Sequence, residues 1–364
     1  MEKSKGNIVL IGNHHIVIYN FRKELIQRLL ELNYQVIVFL PYTKEADRIS
    51  DLGCKLVDIP VDRRGMNPIR DYGLYRKYKK ELRKWNPNIV LNYTVKPDIY
   101  GGMACRRLHI PYICTITGVG TSFQKKGPLR SLILAMYKVA MKNAKKVFFQ
   151  NKSDCAIFEE ENIAQKRYVL VNGSGVNLQH FSLRPFPEES EPFRVLFSAR
   201  IARIKGVDLY LEAAEILKKR YPDMEFHMIG FWEEDFHERV RDMEKRGIVI
   251  YHGMQSDVRP FIEQCQCLVH PSRNEGMSNI CLEAEAIGRA VIAANIPGCM
   301  ECVEDGVTGF LHEPNHTEDL VNKIEKFKSL SYNDRKHMGE LARVKVEREF
   351  GRELVVDAYM NEIM

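Results

Sequence analysis

Two carboxylates, Glu275 and Glu283, stand eight positions apart in the stretch HPSRNEGMSNICLE, His270–Glu283. An apolar run before it, Cys265–Val269, reads as a buried strand. A turn-forming segment with Pro271, Ser272, Asn274 and Gly276 follows, and then Ile280, Leu282, Ala284 and Ile287 take the spacing of a helix packed on a sheet. Glu275 is therefore expected on the loop at a strand's carboxyl end, and Glu283 about two turns into the next helix. In an open α/β sheet such a loop is where ligands bind. The amides of Met277, Ser278, Asn279 and Ile280, at the start of the helix, are suited to an anion such as a phosphate. The carboxylate pair alone is weak evidence, because acids in a first helical turn offset the helix dipole with no further role.

A second constellation lies in SARIARIKGVD, Ser198–Asp208. A strand ends, a loop carries Arg200 and Lys205, and Gly206 opens a helix. Arginine can make a forked contact with a phosphate and lysine supplies a point charge, so the pair fits a diphosphate. Two loop cations on their own are more often solvated surface.

The elements that must position these residues repeat along the chain. Strands are expected at Asn7–Gly12, Gln35–Leu40, Cys54–Ile59, Asn88–Tyr93, Pro111–Thr117 and Lys145–Gln150, separated by helix-length segments. The pattern restarts with Phe193–Ala199, Met224–Gly230 and Ile248–Gly253. Alternation of this kind implies parallel sheets with crossover helices, an α/β class. The proline-rich, acidic run Leu183–Pro192 reads as a linker. The expected organisation is a first Rossmann-like domain over 1–182, a second over 183–345, and a C-terminal helical segment over 346–364.

Composition agrees with a folded globular chain. Hydrophobic residues make up 45% and charged residues 28% of 364 positions, and no run approaches the ~18 apolar residues of a membrane span. The N-terminus reads as a strand and not as a signal peptide. Nine cysteines fall without zinc-binding spacing and are expected as reduced core thiols of a cytoplasmic protein, with Cys265 and Cys267 facing the same side of one strand. Charge is uneven. Through Ser190 there are 31 Lys+Arg against 17 Asp+Glu, a net of +14, leaving −8 for the remainder. The basic half concentrates its charge in Arg63–Lys84 and in Lys125–Lys146, the latter a helix candidate with apolar Leu129, Leu132, Ile133, Met136, Tyr137, Val139 and Ala140. Such a helix suits an anionic membrane surface; an ordinary core helix with a solvated lysine face explains it equally well. No helix-turn-helix, zinc-finger or aromatic RNA-binding motif accompanies the charge, so nucleic acid is not the expected partner.

The longer string EGMSNICLEAEAIGRAVIAANIPGCMECVEDGVTGFL, Glu275–Leu311, resembles the nucleotide-sugar signature of the large retaining glycosyltransferase family 4 (group 1), which has the GT-B fold of two Rossmann-like domains facing a cleft. The resemblance implies that a last helix crosses back to the first domain. It also implies that Arg200 and Lys205 neutralise the donor's diphosphate and that Glu275 contacts the donor sugar. Glu283 would then hold the ribose, and backbone near Gly253 and Met254 would read the base. Without a DxD motif, no metal and no cofactor are expected; leaving-group charge falls to side-chain cations and helix-end amides. In the first domain the loop after the first strand departs from the family's paired glycines. Gly12 would let the backbone approach the donor phosphate, and His14, His15, Thr117 and Gly118 would line the acceptor side. TVKPDIYGG and TGVGTSF look similar to bacterial enzymes building capsule, exopolysaccharide or O-antigen units on undecaprenyl diphosphate. The expected activity is transfer of a hexose or N-acetylhexosamine from a UDP-sugar to such a lipid-linked acceptor, on the inner face of the cell membrane. A UDP-sugar epimerase of the same architecture, or a non-enzymatic nucleotide-sugar- or nucleic-acid-binding protein, stays open as an alternative.

Overall fold

The computed structural model describes residues 4–63, 65–119 and 127–364, and these divide into two compact units. The first comprises residues 1–174 and 353–364, the second 175–352. In the first, the elements run β1 (Asn7–Ile11), α1 (His15–Glu31), β2 (Gln35–Leu40), α2 (Asp47–Ser50), β3 (Lys55–Asp58), α3 (Pro68–Trp85), β4 (Ile89–Tyr93), α4 (Gly102–Leu108), β5 (Tyr112–Ile116), α5 (Pro128–Ala140), β6 (Lys146–Phe149), α6 (Lys152–Glu160) and β7 (Tyr168–Leu170). The second contains β8 (Arg194–Ser198), α7 (Val207–Arg220), β9 (Glu225–Ile229), α8 (His237–Lys245), β10 (Ile250–Tyr251), α9 (Arg259–Glu263), β11 (Cys267–His270), α10 (Asn279–Ile287), β12 (Ala290–Ala294), β13 (Gly309–His312), α11 (Thr317–Ser329) and α12 (Tyr332–Glu349). The last helix, α13 (Arg352–Ile363), lies with the first unit from Glu353 onward.

Both sheets are wholly parallel. The first has the order β3-β2-β1-β4-β5-β6-β7 and the second β10-β9-β8-β11-β12-β13. Central strands such as β4 and β12 are buried along their whole length, because crossover helices cover both faces of a parallel sheet. Helix starts follow local chemistry. Asn67 accepts from the amides of Ile69 and Arg70 and Pro68 occupies the first turn, so α3 begins earlier than apolar periodicity from Tyr72 suggests. The second unit contains two strands, β10 and β13, that are too short or too broken in pattern to be bounded well from sequence.

The run Leu183–Pro192 is not a free linker. The amide of Arg184 donates to the carbonyl of Ile287 at 3.1 Å, and the buried guanidinium of Arg289 donates to the carbonyls of Arg184 and Pro185. Phe186 is buried and meets the Tyr332 ring edge-on. The division therefore falls at 174/175 and not at 182/183. On the return, α12 is complete and packs on α10 before the chain leaves the second unit at 352/353, later than the expected 345/346. Next to these crossings, Val176 and Gly351 form a parallel bridge. Gly175, at φ +67°, lies so close to Arg352 that an added Cβ would sit 2.8 Å from its Cα.

Tyr359 of α13 completes the first unit's core. Its ring stacks on Phe148 at 4.3 Å and its hydroxyl shares a 2.7 Å hydrogen bond with buried Thr115 Oγ1. Val355, Val356 and Met360 join the same cluster as β1, β2 and β4 side chains. Tyr359→Phe leaves the Thr115 hydroxyl without that partner, so unfolding by urea should show a loss of about 1–2 kcal/mol; an unchanged midpoint would mean the hydroxyl pair contributes nothing.

All nine cysteines are free. Cys265 and Cys267 do not share a strand face: β11 starts at Cys267, and Cys265, in the turn before it, belongs to a different core cluster. No described helix is long and apolar enough to cross a membrane.

Candidate active site

The strand order of the second sheet reverses between β8 and β11, and the crevice at such a reversal is where open α/β sheets bind ligands. The loop after β8 carries Arg200 and Lys205; the loop after β11 carries Glu275. They are stitched together. The Arg273 guanidinium forks onto Asp208 at 2.7 and 2.9 Å, its amide donates to the Ile204 carbonyl at 2.9 Å, and Ser272 Oγ donates to the same carbonyl. Gly206, at φ +73°, permits this approach: a Cβ there would lie 2.0 Å from the Pro271 carbonyl oxygen. Gly298 plays the corresponding part behind Glu275, where a Cβ would meet the Glu275 Cβ and the Gly276 carbonyl oxygen at 2.9 Å.

Glu275 is the hub. Its Oε1 accepts from Lys205 Nζ at 2.6 Å and from His270 Nε2 at 2.8 Å. Burial pushes the carboxyl's pKa up, but the Lys205 charge and the His270 contact outweigh it and hold the group well below the usual carboxylate range. Oε2 has no protein partner among the described residues and stays an acceptor. His270 is 2% exposed and has its other ring nitrogen, Nδ1, unpartnered. Arg200 pairs with Glu233, on the turn after β9. The bridge between Ile201 and Trp232 and the donation from the Glu233 amide to the Ile201 carbonyl hold that turn against the Arg200 loop. Both expected diphosphate cations are thus paired with carboxylates.

Glu283 sits little more than one turn into α10, since the helix begins at Asn279. Its half-buried carboxyl is pushed up to about 7 by burial, with Arg352 pulling the other way. At the helix start the four amides are not equivalent. Ser278 N donates to the Gly298 carbonyl at 2.9 Å and is not free for an anion. Those of Met277, Asn279 and Ile280 take no protein acceptor among the described residues. The Ser278 hydroxyl and Asn279 Oδ1 are buried without partners. Gly253 follows β10 at φ +74° and its carbonyl accepts from Gly230 N, while the neighbouring Met254 is 67% exposed.

The first sheet reverses its order between β1 and β4. Gly12 does not offer its amide to a phosphate: the amide donates to the Phe39 carbonyl at 3.0 Å, and the residue is wedged against Ile18. His14 caps α1, with Nδ1 accepting from Ile16 N at 3.3 Å. Burial, then the neighbouring His15 and Arg63, lowers its pKa to about 4, so the ring is neutral and presents Nε2–H. His15 bonds Thr43 Oγ1 at 3.0 Å. Thr117 and Gly118 follow β5, Gly118 at φ +123°; residues 120–123 of TGVGTSF lie outside the described residues. Sequence reasoning missed Asn13 and Thr94 here. Thr94, after β4, holds φ +78°, a position costly for a β-branched residue. Its buried hydroxyl and Asn13 Oδ1 have no partners. Glu233 and the role of His270 were missed as well.

One trio among the described residues stands close enough to share a cation: His270, Cys281 and Cys299, with ligand atoms within 4.8 Å of one another and all buried. Two thiols and an imidazole form a soft donor set, unlike the oxygen ligands that magnesium on a diphosphate requires.

The chain matches the family described as "Glycosyl transferases group 1" over residues 180–345, and "Glycosyl transferase 4-like" over residues 7–151. The chain is a glycosyltransferase. Among curated relatives of this transferase is the N,N'-diacetylbacillosaminyl-diphospho-undecaprenol alpha-1,3-N-acetylgalactosaminyltransferase of Campylobacter jejuni, 26% identical over 90% of this chain and 89% of the relative. The capsular polysaccharide biosynthesis glycosyltransferase CapM of Staphylococcus aureus is 25% identical over 79% of this chain and 80% of its own. Among solved structures, a Rickettsia africae glycosyltransferase superposes with a TM-score of 0.81 at 21% identity, covering 99% of this chain and 98% of the other. Anabaena HepE, in complex with UDP and glucose, gives 0.79 at 16%, covering 98% of each chain. These neighbours share the GT-B fold of the transferase.

Proposed function

We propose that this transferase moves a hexose or N-acetylhexosamine from a UDP-sugar to a saccharide carried on a polyprenyl diphosphate, with retention of anomeric configuration. The observation that carries the reading is the Lys205–Glu275–His270 cluster at the sheet's switch point, with Arg200 on the adjoining loop. As the glycosidic bond to the leaving nucleotide breaks, negative charge collects on the diphosphate; Arg200 exchanges Glu233 for a phosphate oxygen and Lys205 turns its remaining donors toward the other. Glu275, held ionised and oriented by His270, accepts hydrogen bonds from the donor sugar's hydroxyls through Oε2. The free amides at the start of α10 offer further donors to the anion. Gly253 and Met254 would present backbone to the base, and Glu283 a carboxylate to the ribose. The named activities of the Campylobacter and Staphylococcus relatives support the lipid-linked acceptor and the polysaccharide setting. HepE's complex with UDP supports the donor nucleotide.

The setting proposed is the inner face of the cell membrane, with contact through the first unit's basic surface. The lysines that would serve this are not the pair between α5 and β6: Lys145 donates to a backbone carbonyl of Glu362, and Lys146, which opens β6, pairs with its carboxylate at 3.4 Å. Lys125 and Lys126 lie outside the described residues. Among the described residues a run of cations without acidic partners, Arg76, Lys77, Lys79, Lys80 and Arg83, lies along α3.

The test is nucleoside diphosphate release from a panel of UDP- and GDP-sugars, EDTA present, with and without a polyprenyl-diphosphate-linked saccharide. Acceptor-dependent release from a UDP-sugar supports the reading; release from none of them by folded protein would sink it.

Glu283 gives a pH signature. A ribose hydroxyl donates to the ionised carboxylate, so UDP affinity should rise as pH climbs from 6 to 8 through the group's pKa of about 7. The part of that rise belonging to Glu283, up to about tenfold per unit on the acid side, should vanish in Glu283→Gln, leaving only the ligand's own titration. Stability runs the other way. A carboxyl raised in the fold stabilises it below the ordinary value of 4.5, and the contribution is lost as pH rises through 7. Glu283→Gln without ligand should therefore melt higher than the parent at pH 8. Identical calorimetric profiles for parent and variant would contradict both.

A further inference from the structure

The first unit carries a groove of about 640 Å³ between α3, α4 and α5, away from the loops described above. Its wall joins aromatic and apolar side chains, Tyr72, Tyr75, Tyr100, Met103 and Val139, to the basic Arg106, Arg107 and His109. The one acid in it, Asp71, is already neutralised, by Lys96 at 2.6 Å and by the Tyr100 hydroxyl at 3.1 Å. Side chains that would ordinarily be covered stand open around it. Ile69 is 83% exposed, Tyr72 62%, and Leu132, on the outer face of α5, 58%. An exposed apolar patch of this kind marks a binding surface, and the volume falls in the ~300–1,000 Å³ range of ligand sites.

What adjoins the groove says what would fill it. Tyr72 and Tyr75 also wall a second depression, whose other side is Arg76, Lys77, Lys79, Lys80, Arg83 and Lys84. Among the described residues only Lys84 of these has an acidic partner, Glu81 at 3.9 Å. Five cations along one helix face without acids repel one another and wait for an anion. Arg107 adds another in the lining of the groove itself, beside Arg106, which donates to the Val139 carbonyl. An apolar slot beside uncompensated cations complements a long hydrocarbon with an anionic end. It does not complement a nucleic acid, whose bases would meet a slot open to phosphate on one side only.

Resting on the lipid-linked acceptor proposed above, we infer that this groove takes the isoprenoid chain of a polyisoprenyl diphosphate, with the diphosphate end against the α3 cations. The site would then recognise the carrier lipid itself, separately from the saccharide it bears.

The experiment is equilibrium binding of soluble prenyl diphosphates of five, ten, fifteen and twenty carbons to the full chain, below their micellar concentrations. Affinity should rise at least tenfold from the shortest to the longest. Val139→Trp, which fills the slot from an exposed position, should flatten that dependence without moving the melting temperature. A triple change of Lys77, Lys80 and Arg83 to Gln should weaken all lengths alike. A benzophenone-bearing twenty-carbon probe should label peptides from α3 or α4. Equal affinity for all lengths, or a length dependence that survives Val139→Trp, overturns the inference. So does binding confined to anionic phospholipid vesicles, which would make the patch a bilayer contact, or competition by single-stranded RNA as strong as by the twenty-carbon probe. The two readings fail separately. Sugar transfer with no chain-length preference would refute the groove and spare the transferase assignment; binding of the long probe without transfer from any donor would do the reverse.

Discussion

Glu275→Gln should lower the transfer rate by about 10²–10³ while leaving a folded protein, the scale of loss when one oriented electrostatic contact is removed from a reacting centre. The glutamine keeps the shape but not the charge, so it cannot hold Lys205 and His270 as the carboxylate does at 2.6 and 2.8 Å. It presents a mixed donor and acceptor where the sugar needs an acceptor. Glu275→Ala goes further. It strands a mostly buried ammonium beside a buried imidazole, and breaking one side of such a pair costs about 3–5 kcal/mol. Rate measurements at saturating donor, paired with melting curves, separate the two effects: a rate fall with a small loss of melting temperature for Gln, and a larger loss of melting temperature alongside the rate fall for Ala. Because the folded carboxyl titrates below its ordinary 4.5, the stability it confers is present above that value and drains away as pH falls. The parent and Glu275→Ala should therefore converge in acid. A glutamine variant transferring at parental rates would remove Glu275 from the chemistry.

Lys205→Met should reduce kcat/KM by a further scale of about 10²–10³, since the charge of the departing diphosphate is then met by Arg200 alone. The loss should be mostly in kcat if Lys205 acts as the bond breaks, and mostly in UDP affinity if it only holds the ground state. A useful contrast is Glu233→Gln. Arg200 is paired with Glu233 and on the proposed mechanism must give it up to meet a phosphate, so weakening that partner should leave UDP affinity equal to or above the parent's. Tighter binding in Glu233→Gln together with weak turnover in Lys205→Met would place the two cations in the donor site. Parental kinetics in both would leave them as ordinary loop ion pairs.

Strands that are buried along both faces could be read directly as uninterrupted apolar runs, and the two loops of the candidate site followed because each begins where such a run stops. The partners of the charged residues could not. Glu233 lies in a turn with no pattern of its own and reaches Arg200 only because β8 and β9 are adjacent. Thr94 gives no sign in its residue type that its backbone is left-handed. Lys145 and Lys146 read as free lysines of a basic helix, and only the return of the chain at Glu362 takes them out of that role. Gly12 looked like a phosphate-approach glycine, yet its amide is consumed by the sheet edge at Phe39. The run 183–192 misled for a related reason: prolines remove backbone donors and so look like linker, while Phe186 anchors the segment to the second unit.

The position of α13 bears on how this protein is made. The side chains that finish the first unit's core, Tyr359 and Met360 among them, are translated after the whole of the second unit, residues 175–352. The chain leaves the ribosome through residue 352 before the earlier-synthesised first unit receives the last part of its interior. Vectorial synthesis thus keeps the first unit's interior incomplete until α13 emerges. Until then the faces of Phe148 and Tyr93 that meet Tyr359 stay open, a natural target for chaperone holding. A stop codon just ahead of α13 would leave those faces bare for good.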